Sequence, residues 1–301
     1  MQKFQTISEV RAWRKENLRV AFVPTMGNLH AGHLQLVHEA KKYADKVIVS
    51  IFVNPTQFGI NEDFSTYPRT ETRDCELLEN ENCDAVFLPT VETIYSPNAQ
   101  TTISVSEISQ NYCGASRKGH FDGVATVVCK LFNIVQPDVA LFGLKDFQQF
   151  AVIQTMVRDL YLPIELISVP TVREIDGLAM SSRNGYLTEN ERQIAPNLYK
   201  TLQKARANLS TKTIFETEKI AISELENVGF MVDYFKIARR SDLKLATEND
   251  ENLIILAAVK LGKTRLIDNL GPIRFFGTTT KRLAHIRKKT ARYNLQACER
   301  I

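Results

Sequence analysis

The sequence has few long apolar runs. Hydrophobic residues make up 44% of its 301 positions, yet no stretch approaches the roughly 18 residues that cross a bilayer. The longest, Val47–Val53 and Leu253–Val259, suit buried strands. The opening MQKFQTISEV lacks the uninterrupted apolar stretch of a secretory signal, so no membrane partner is expected. Cysteine is scarce too. Cys75, Cys83, Cys113, Cys129 and Cys298 are odd in number and form no C-x-x-C pair. That argues against a zinc site or disulfide framework and for a reducing, cytoplasmic setting. No repeat of 20–50 residues is visible.

Positive charge is also missing from most of the chain. The net charge is +4, but residues 271–301 hold eight basic residues and one acidic residue, Glu299. This tail carries +7 and residues 1–270 carry −3. The high overall pI therefore describes the tail, and no nucleic-acid partner is expected for the body. Beyond Leu270 the punctuation Gly271-Pro272 and a poorly periodic basic run read as a flexible or non-native extension.

What is present is alternation. Val20–Val23, Val47–Val53, Ala85–Leu88, Thr101–Val105, Val139–Phe142 and Ile164–Val169 read as strands. Between them, helical patterns cover about Ala31–Tyr43, Thr70–Asn80, Gly123–Val135 and Lys145–Leu160. Such repetition predicts right-handed crossovers and an α/β parallel sheet, assigned to residues 1–184. A smaller α+β domain is expected over 185–270, with helices Thr188–Leu209 and Ile214–Val228 and strands Met231–Ile237, Leu253–Lys260 and Arg265–Ile267.

The chemistry-bearing segments follow strands. After Val20–Val23 come Pro24-Thr25-Met26-Gly27-Asn28-Leu29-His30-Ala31-Gly32-His33. Histidines three apart share one face of a first helical turn. A helix start offers unpaired N–H groups to phosphate, Gly32 allows close approach, and ring N–H groups can stabilise a developing phosphoryl charge. Gly143-Leu144-Lys145-Asp146-Phe147-Gln148-Gln149 follows another strand, with Lys145 placed for phosphate, Asp146 for ribose hydroxyls and Gln149 for a polar ligand. Met180-Ser181-Ser182-Arg183 combines hydroxyls with a guanidinium suited to a triphosphate. Asn54 and Gln57 lie at the carboxyl end of a buried strand, where open sheets bind ligands. Arg117 and Lys118 read as solvated loop residues.

In this order, PTMGNLHAGH (24–33), SIFVNPTQF (50–58), YPRT (67–70), GASRKGHFDG (114–123), FGLKDFQQ (142–149) and GLAMSSRNGYLT (177–188) resemble the pantoate–β-alanine ligase (pantothenate synthetase) family of the nucleotidylyltransferase superfamily, over about residues 1–270. The resemblance implies a Rossmann-like sheet domain with a C-terminal lid, and a homodimer. It implies ATP-dependent condensation of (R)-pantoate with β-alanine through pantoyl adenylate, releasing AMP and pyrophosphate. Met26, Gly27, Asn28, Leu29, His30, Ala31, Gly32 and His33 would contact ATP, with His33 as proton donor. Gly143, Leu144, Lys145, Asp146, Val172, Met180, Ser181, Ser182 and Arg183 would hold the rest of the nucleotide. The catalytic set implied is His33, His30, Lys145 and Arg183. Gln57 and Gln149 would bind pantoate, Gln57 also β-alanine, and Mg²⁺ would accompany ATP with its protein ligands left open. Leu144 stands where the family often has a polar residue, and Lys118 where proline is usual.

Overall fold

The computed structural model describes residues 1–60 and 62–274. They divide into two compact units, Met1–Tyr186 and the chain from Leu187 onward. The basic run from 275 lies outside the described residues.

The first unit runs β1 (Gln2–Phe4), α1 (Ile7–Lys15), β2 (Val20–Thr25), α2 (Ala31–Ala40), β3 (Lys46–Ile51), α3 (Glu71–Asn80), β4 (Ala85–Phe87), the one-turn helices α4 (Val91–Ile94) and α5 (Cys113–Ser116), α6 (His120–Val135), β5 (Val139–Gly143), α7 (Phe147–Asp159) and β6 (Glu165–Val169). Its six strands are all parallel, in the order β1-β4-β3-β2-β5-β6. The α/β expectation holds. Strands buried on both faces read as continuous apolar runs, which is why Val20–Val23 and Val47–Val49 are fully buried. On one face Leu29, Leu36, Val37 and Leu78 pack against Val23, Val49 and Val86. On the other, Phe132 of α6 meets Phe22 and Phe142 edge-on at 6.3 Å, and deleting so buried a ring costs about 3–5 kcal/mol.

This order positions the site. The chain moves outward from β2 to β3, then later from β5 to β6 on the opposite side, so the order reverses between β2 and β5. Ligands bind at such reversals, outside the carboxyl ends of the strands. Here β2 and β5 pair only at Ala21↔Val139 and Phe22↔Ala140, and their carboxyl ends run on past this ladder.

The second unit has α8 (Glu189–Ile194), α9 (Asn197–Asn208), α10 (Ile214–Asn227), and an antiparallel sheet β7-β8-β9 (Met231–Arg239, Asn252–Leu261, Thr264–Arg274). Among the described residues no helix is long and apolar enough to cross a membrane.

Several expected elements differ. Thr101–Val105 joins no strand ladder, and the Ile103 N–H is taken by Thr126 Oγ1 at 2.9 Å. Thr188–Leu209 is two helices, because Pro196 has no N–H and interrupts the ladder after Ala195. The final strand continues through Gly271-Pro272 to Arg274, so the tail's first four residues belong to the sheet. A 3₁₀ turn, Leu144–Asp146, separates Lys145 from the helix it was expected to open. β1 and α1 have no counterpart among the expected elements, although Thr6 and Glu9 form a complete capping box.

Candidate active site

The turn after β2 is held from both sides. Gly27 and Asn28 both adopt left-handed φ values, +81° and +49°, which reverses the chain. A Cβ on Gly27 would lie 2.9 Å from Ile51 Cγ2, so glycine is required on two counts. The N–H groups of Asn28 and Leu29 donate to the carboxylate of Asp74, each at 2.8 Å. The Ser182 hydroxyl donates to Asn28 O at 3.1 Å.

His30 is then the N-cap of α2. Its Nδ1 accepts the Gly32 N–H at 3.1 Å, and His33 Nδ1 accepts the His30 N–H at 3.4 Å. The two rings thus take the parts normally played by Ser and Glu in a capping box, with centroids 4.1 Å apart. An Nδ1 that accepts must be unprotonated, so each neutral ring carries its proton on Nε2. Desolvation, reinforced by the nearby Lys145 charge, lowers His30 to about 4. Desolvation, with His30 and Lys145 adding to it, lowers His33 to about 3. Both are neutral donors near pH 7. They pass the partial positive charge of the helix start outward by one ring.

Gln57 ends a 3₁₀ turn capped by Asn54. Buried Asn54 donates from Nδ2 to Gln57 Oε1 (3.1 Å) and Gly123 O (3.2 Å), and accepts from Tyr95 OH at 2.8 Å. The carbonyl end of the Gln57 amide is therefore fixed, while its Nε2, resting 3.0 Å from Met26 Sδ, is the end offered to a ligand. Behind it, His120 donates from Nδ1 to Gln57 O (2.8 Å) and meets Arg117 through Nε2 (2.9 Å). Desolvation and the Arg117 charge lower His120 to about 4. Arg117 forms a bidentate pair with Glu62, at 2.6 and 2.5 Å. The solvated reading of Arg117 is thus corrected: its side chain is 15% exposed and belongs to the cavity wall. Lys118 is exposed.

These groups surround a cavity of roughly 240 Å³ within the first unit. It brings together Met26, His30, Gly32, His33, Gln57, Gly143, Lys145, Asp146, Gln149, Val172, Met180, Ser181, Ser182 and Arg183. Gly27, Asn28, Leu29, Ala31 and Leu144 are not on its wall. Leu29 is a core residue, 1% exposed, and the Asn28 and Leu29 N–H groups point to Asp74 instead of the cavity. Arg183 is paired with Asp63 by two hydrogen bonds of 3.1 and 2.8 Å, and Lys145 Nζ lies 3.8 Å from Asp146. Sequence reasoning missed Asp63, Glu62, Asp74, Tyr95 and His120; only His120, inside the GASRKGHFDG segment, carried a signal.

An open parallel sheet with paired neutral imidazoles, cations and oriented amides at its reversal point defines a nucleotide-using enzyme of the α/β class. Residues 2–271 match the model of the Pantoate-beta-alanine ligase family. The chain is 54% identical over 273 residues to the pantothenate synthetase of Idiomarina loihiensis, covering 90% of this chain and 97% of that one. It is 52% identical to that of Colwellia psychrerythraea, covering 87% and 94%. The crystal structure of pantothenate synthetase from Thermus thermophilus superposes with a TM-score of 0.86 at 42% identity, covering 90% of this chain and 99% of that one. That of pantoate-beta-alanine ligase from Francisella tularensis, complexed with beta-gamma ATP and β-alanine, gives 0.78 at 35%, with the same coverage. The chain belongs to the pantoate–β-alanine ligase family.

Proposed function

We propose that the chain joins (R)-pantoate to β-alanine at the expense of ATP, in two steps within the one cavity. In the first, a pantoate carboxylate oxygen attacks the α-phosphorus, forming pantoyl adenylate and expelling pyrophosphate. In the second, the β-alanine amine attacks the acyl carbon, its proton leaves, and AMP departs. The observation that carries this reading is the convergence of His30, His33 and Lys145 with Gln57 and Gln149 on one cavity wall. The carboxylate is its own nucleophile, so the protein's work is positioning and charge stabilisation.

In this reading His30 and His33 donate hydrogen bonds from Nε2 to the phosphates, and their low pKa values favour this over proton transfer by His33. Lys145 and Arg183 neutralise the triphosphate, Arg183 by exchanging Asp63 for phosphate oxygens. The Gln57 amide donates to a pantoate oxygen and lies nearest the amine. Among the described residues there is no group of three or more candidate metal ligands. Asp146 on the wall suits the usual pattern for Mg²⁺, one carboxylate plus substrate phosphates, and the ion would reduce phosphate repulsion of the incoming carboxylate. A homodimer and a cytoplasmic location complete the proposal.

Isotope exchange between pyrophosphate and ATP tests it. Exchange should require pantoate and proceed without β-alanine, while pantothenate should appear only with all three substrates. Exchange driven by a different acid and indifferent to pantoate would assign the site to another adenylyl transfer.

A further inference from the structure

The Asp74 carboxylate is fully buried, lies 45 and 46 residues from its backbone partners, and is absent from the cavity wall. Each of its oxygens accepts one backbone N–H from the left-handed turn, Asn28 on Oδ2 and Leu29 on Oδ1. Consecutive N–H groups in such a turn form an anion-binding nest, and here a side chain of the same protein fills it. Thr70 completes the arrangement. It stands at the N-cap of α3, yet its hydroxyl makes no capping bond and instead lies 3.1 Å from both Asp74 oxygens. A Cβ on Gly27 would reach 3.0 Å from Oδ2, so carboxylate and turn are in close contact. The residue next along the chain is His30, whose backbone N–H fixes His33 and whose ring caps α2.

We infer that Asp74, braced by Thr70, is a positioning residue for His30 and His33. It pins the left-handed Asn28 and the following Leu29, so that His30 enters α2 in extended geometry with Nδ1 on the Gly32 N–H. It also withdraws the Asn28 and Leu29 N–H groups from the cavity, so a phosphate meets the imidazole Nε2–H groups instead of the nest. This rests on the reading above for its catalytic consequence but not for its geometry. A displacement of catalytic groups by about an ångström costs on the order of 10²-fold in rate.

The test compares Asp74→Asn, Thr70→Val, Thr70→Ser and His33→Gln in the full chain. It uses steady-state kinetics, thermal unfolding and ¹⁵N NMR of the histidine rings. An asparagine offers one oxygen where two N–H groups need acceptors, so the turn must move. Expected are a kcat lower by about 10- to 100-fold in Asp74→Asn and Thr70→Val, an unchanged KM for β-alanine, and loss of the pure Nε2–H tautomer at His30 and His33. Thr70→Ser should retain both the tautomer and the rate. Should Asp74→Asn fail to fold, Thr70→Val carries the test. Wild-type tautomers and kcat in a folded Asp74→Asn or Thr70→Val, beside a slowed His33→Gln, overturn the inference. Altered tautomers with intact turnover in all variants support the positioning and refute the catalytic reading of the histidines.

Discussion

Three histidines kept neutral make the first unit sensitive to acid in a way that can be calculated. His30, His33 and His120 titrate at about 4, 3 and 4 in the fold and near 6.5 in the unfolded chain. Each folded value is depressed, so as pH falls the unfolded state binds the proton first. The stabilising contribution is therefore full above pH 6.5 and is lost progressively below it. One pKa unit corresponds to 1.36 kcal/mol, so by about pH 5 each ring costs about 2 kcal/mol and the three together roughly 6. That is a large share of the 5–15 kcal/mol that holds a domain folded. Thermal unfolding at about pH 7.5 and about pH 5 measures it. The His33→Gln variant lacks one of the three sites, so its fall in Tm between the two conditions should be smaller than the wild type's by about 4–8 °C. An equal fall in both proteins would mean that His33 titrates in the fold as it does in the unfolded chain, and the desolvated site argued for it would be refuted.

Lys145→Ala should lower kcat by about 10²–10³-fold, as for a charge lost from a water-poor site; near-normal turnover removes it from the mechanism. Gln57→Ala should raise the pantoate KM by about tenfold or more, the value of one hydrogen bond to a charged group, and an unchanged KM contradicts the assignment. Asp63→Asn frees Arg183 from its internal anion, a pair only 30% and 23% exposed, and should lower the ATP KM by several-fold or more, the effect of about 1 kcal/mol or above; a raised KM would show that Asp63 assists the nucleotide. Gly123→Ala puts a Cβ 2.3 Å from Thr56 O and 2.8 Å from Gln57 N. It should cost about 1–3 kcal/mol in denaturant unfolding and weaken pantoate binding together with it.

The sheet was legible because parallel strands buried on both faces are apolar without interruption, and the HAGH segment because it follows such a strand into a helix. Ambiguity began wherever the deciding partner lies far along the chain. Arg117 read as solvated because Glu62, which neutralises it, is 55 residues away. Asp74 sits in a helix of charged residues, ETRDCELLEN, and nothing local distinguishes it from Glu71, which is exposed. Thr101–Val105 has strand composition, but its N–H partner is a side chain. Adjacent Gln148 and Gln149 show the same limit. Gln148 turns inward to bind Ile108 O, Asn111 O and the Cys113 N–H, whereas Gln149 faces the cavity, a difference set by tertiary packing.

Two kinds of hydrogen-bond donor line the cavity, cations and neutral imidazoles, and they respond differently to an anion. Each cation already has an internal carboxylate: Arg183 has Asp63, Arg117 has Glu62, and Lys145 has Asp146. Binding a triphosphate at Arg183 is therefore an exchange of one anion for another. Arg183 and Asp63 are only 30% and 23% exposed and share two hydrogen bonds, so phosphate replaces one charge-assisted pair with another of the same kind, and the net gain from the exchange is small. The imidazoles have no counter-ion to give up. Their Nδ1 atoms are held by backbone N–H groups and their Nε2–H groups are neutral, so they gain little from a ground-state phosphate. They gain most where charge accumulates on the phosphoryl oxygens during attack. Interactions stronger in the transition state than in the ground state are the ones that raise kcat. Removing a histidine should therefore appear mainly in kcat, and removing Arg183 mainly in the ATP KM.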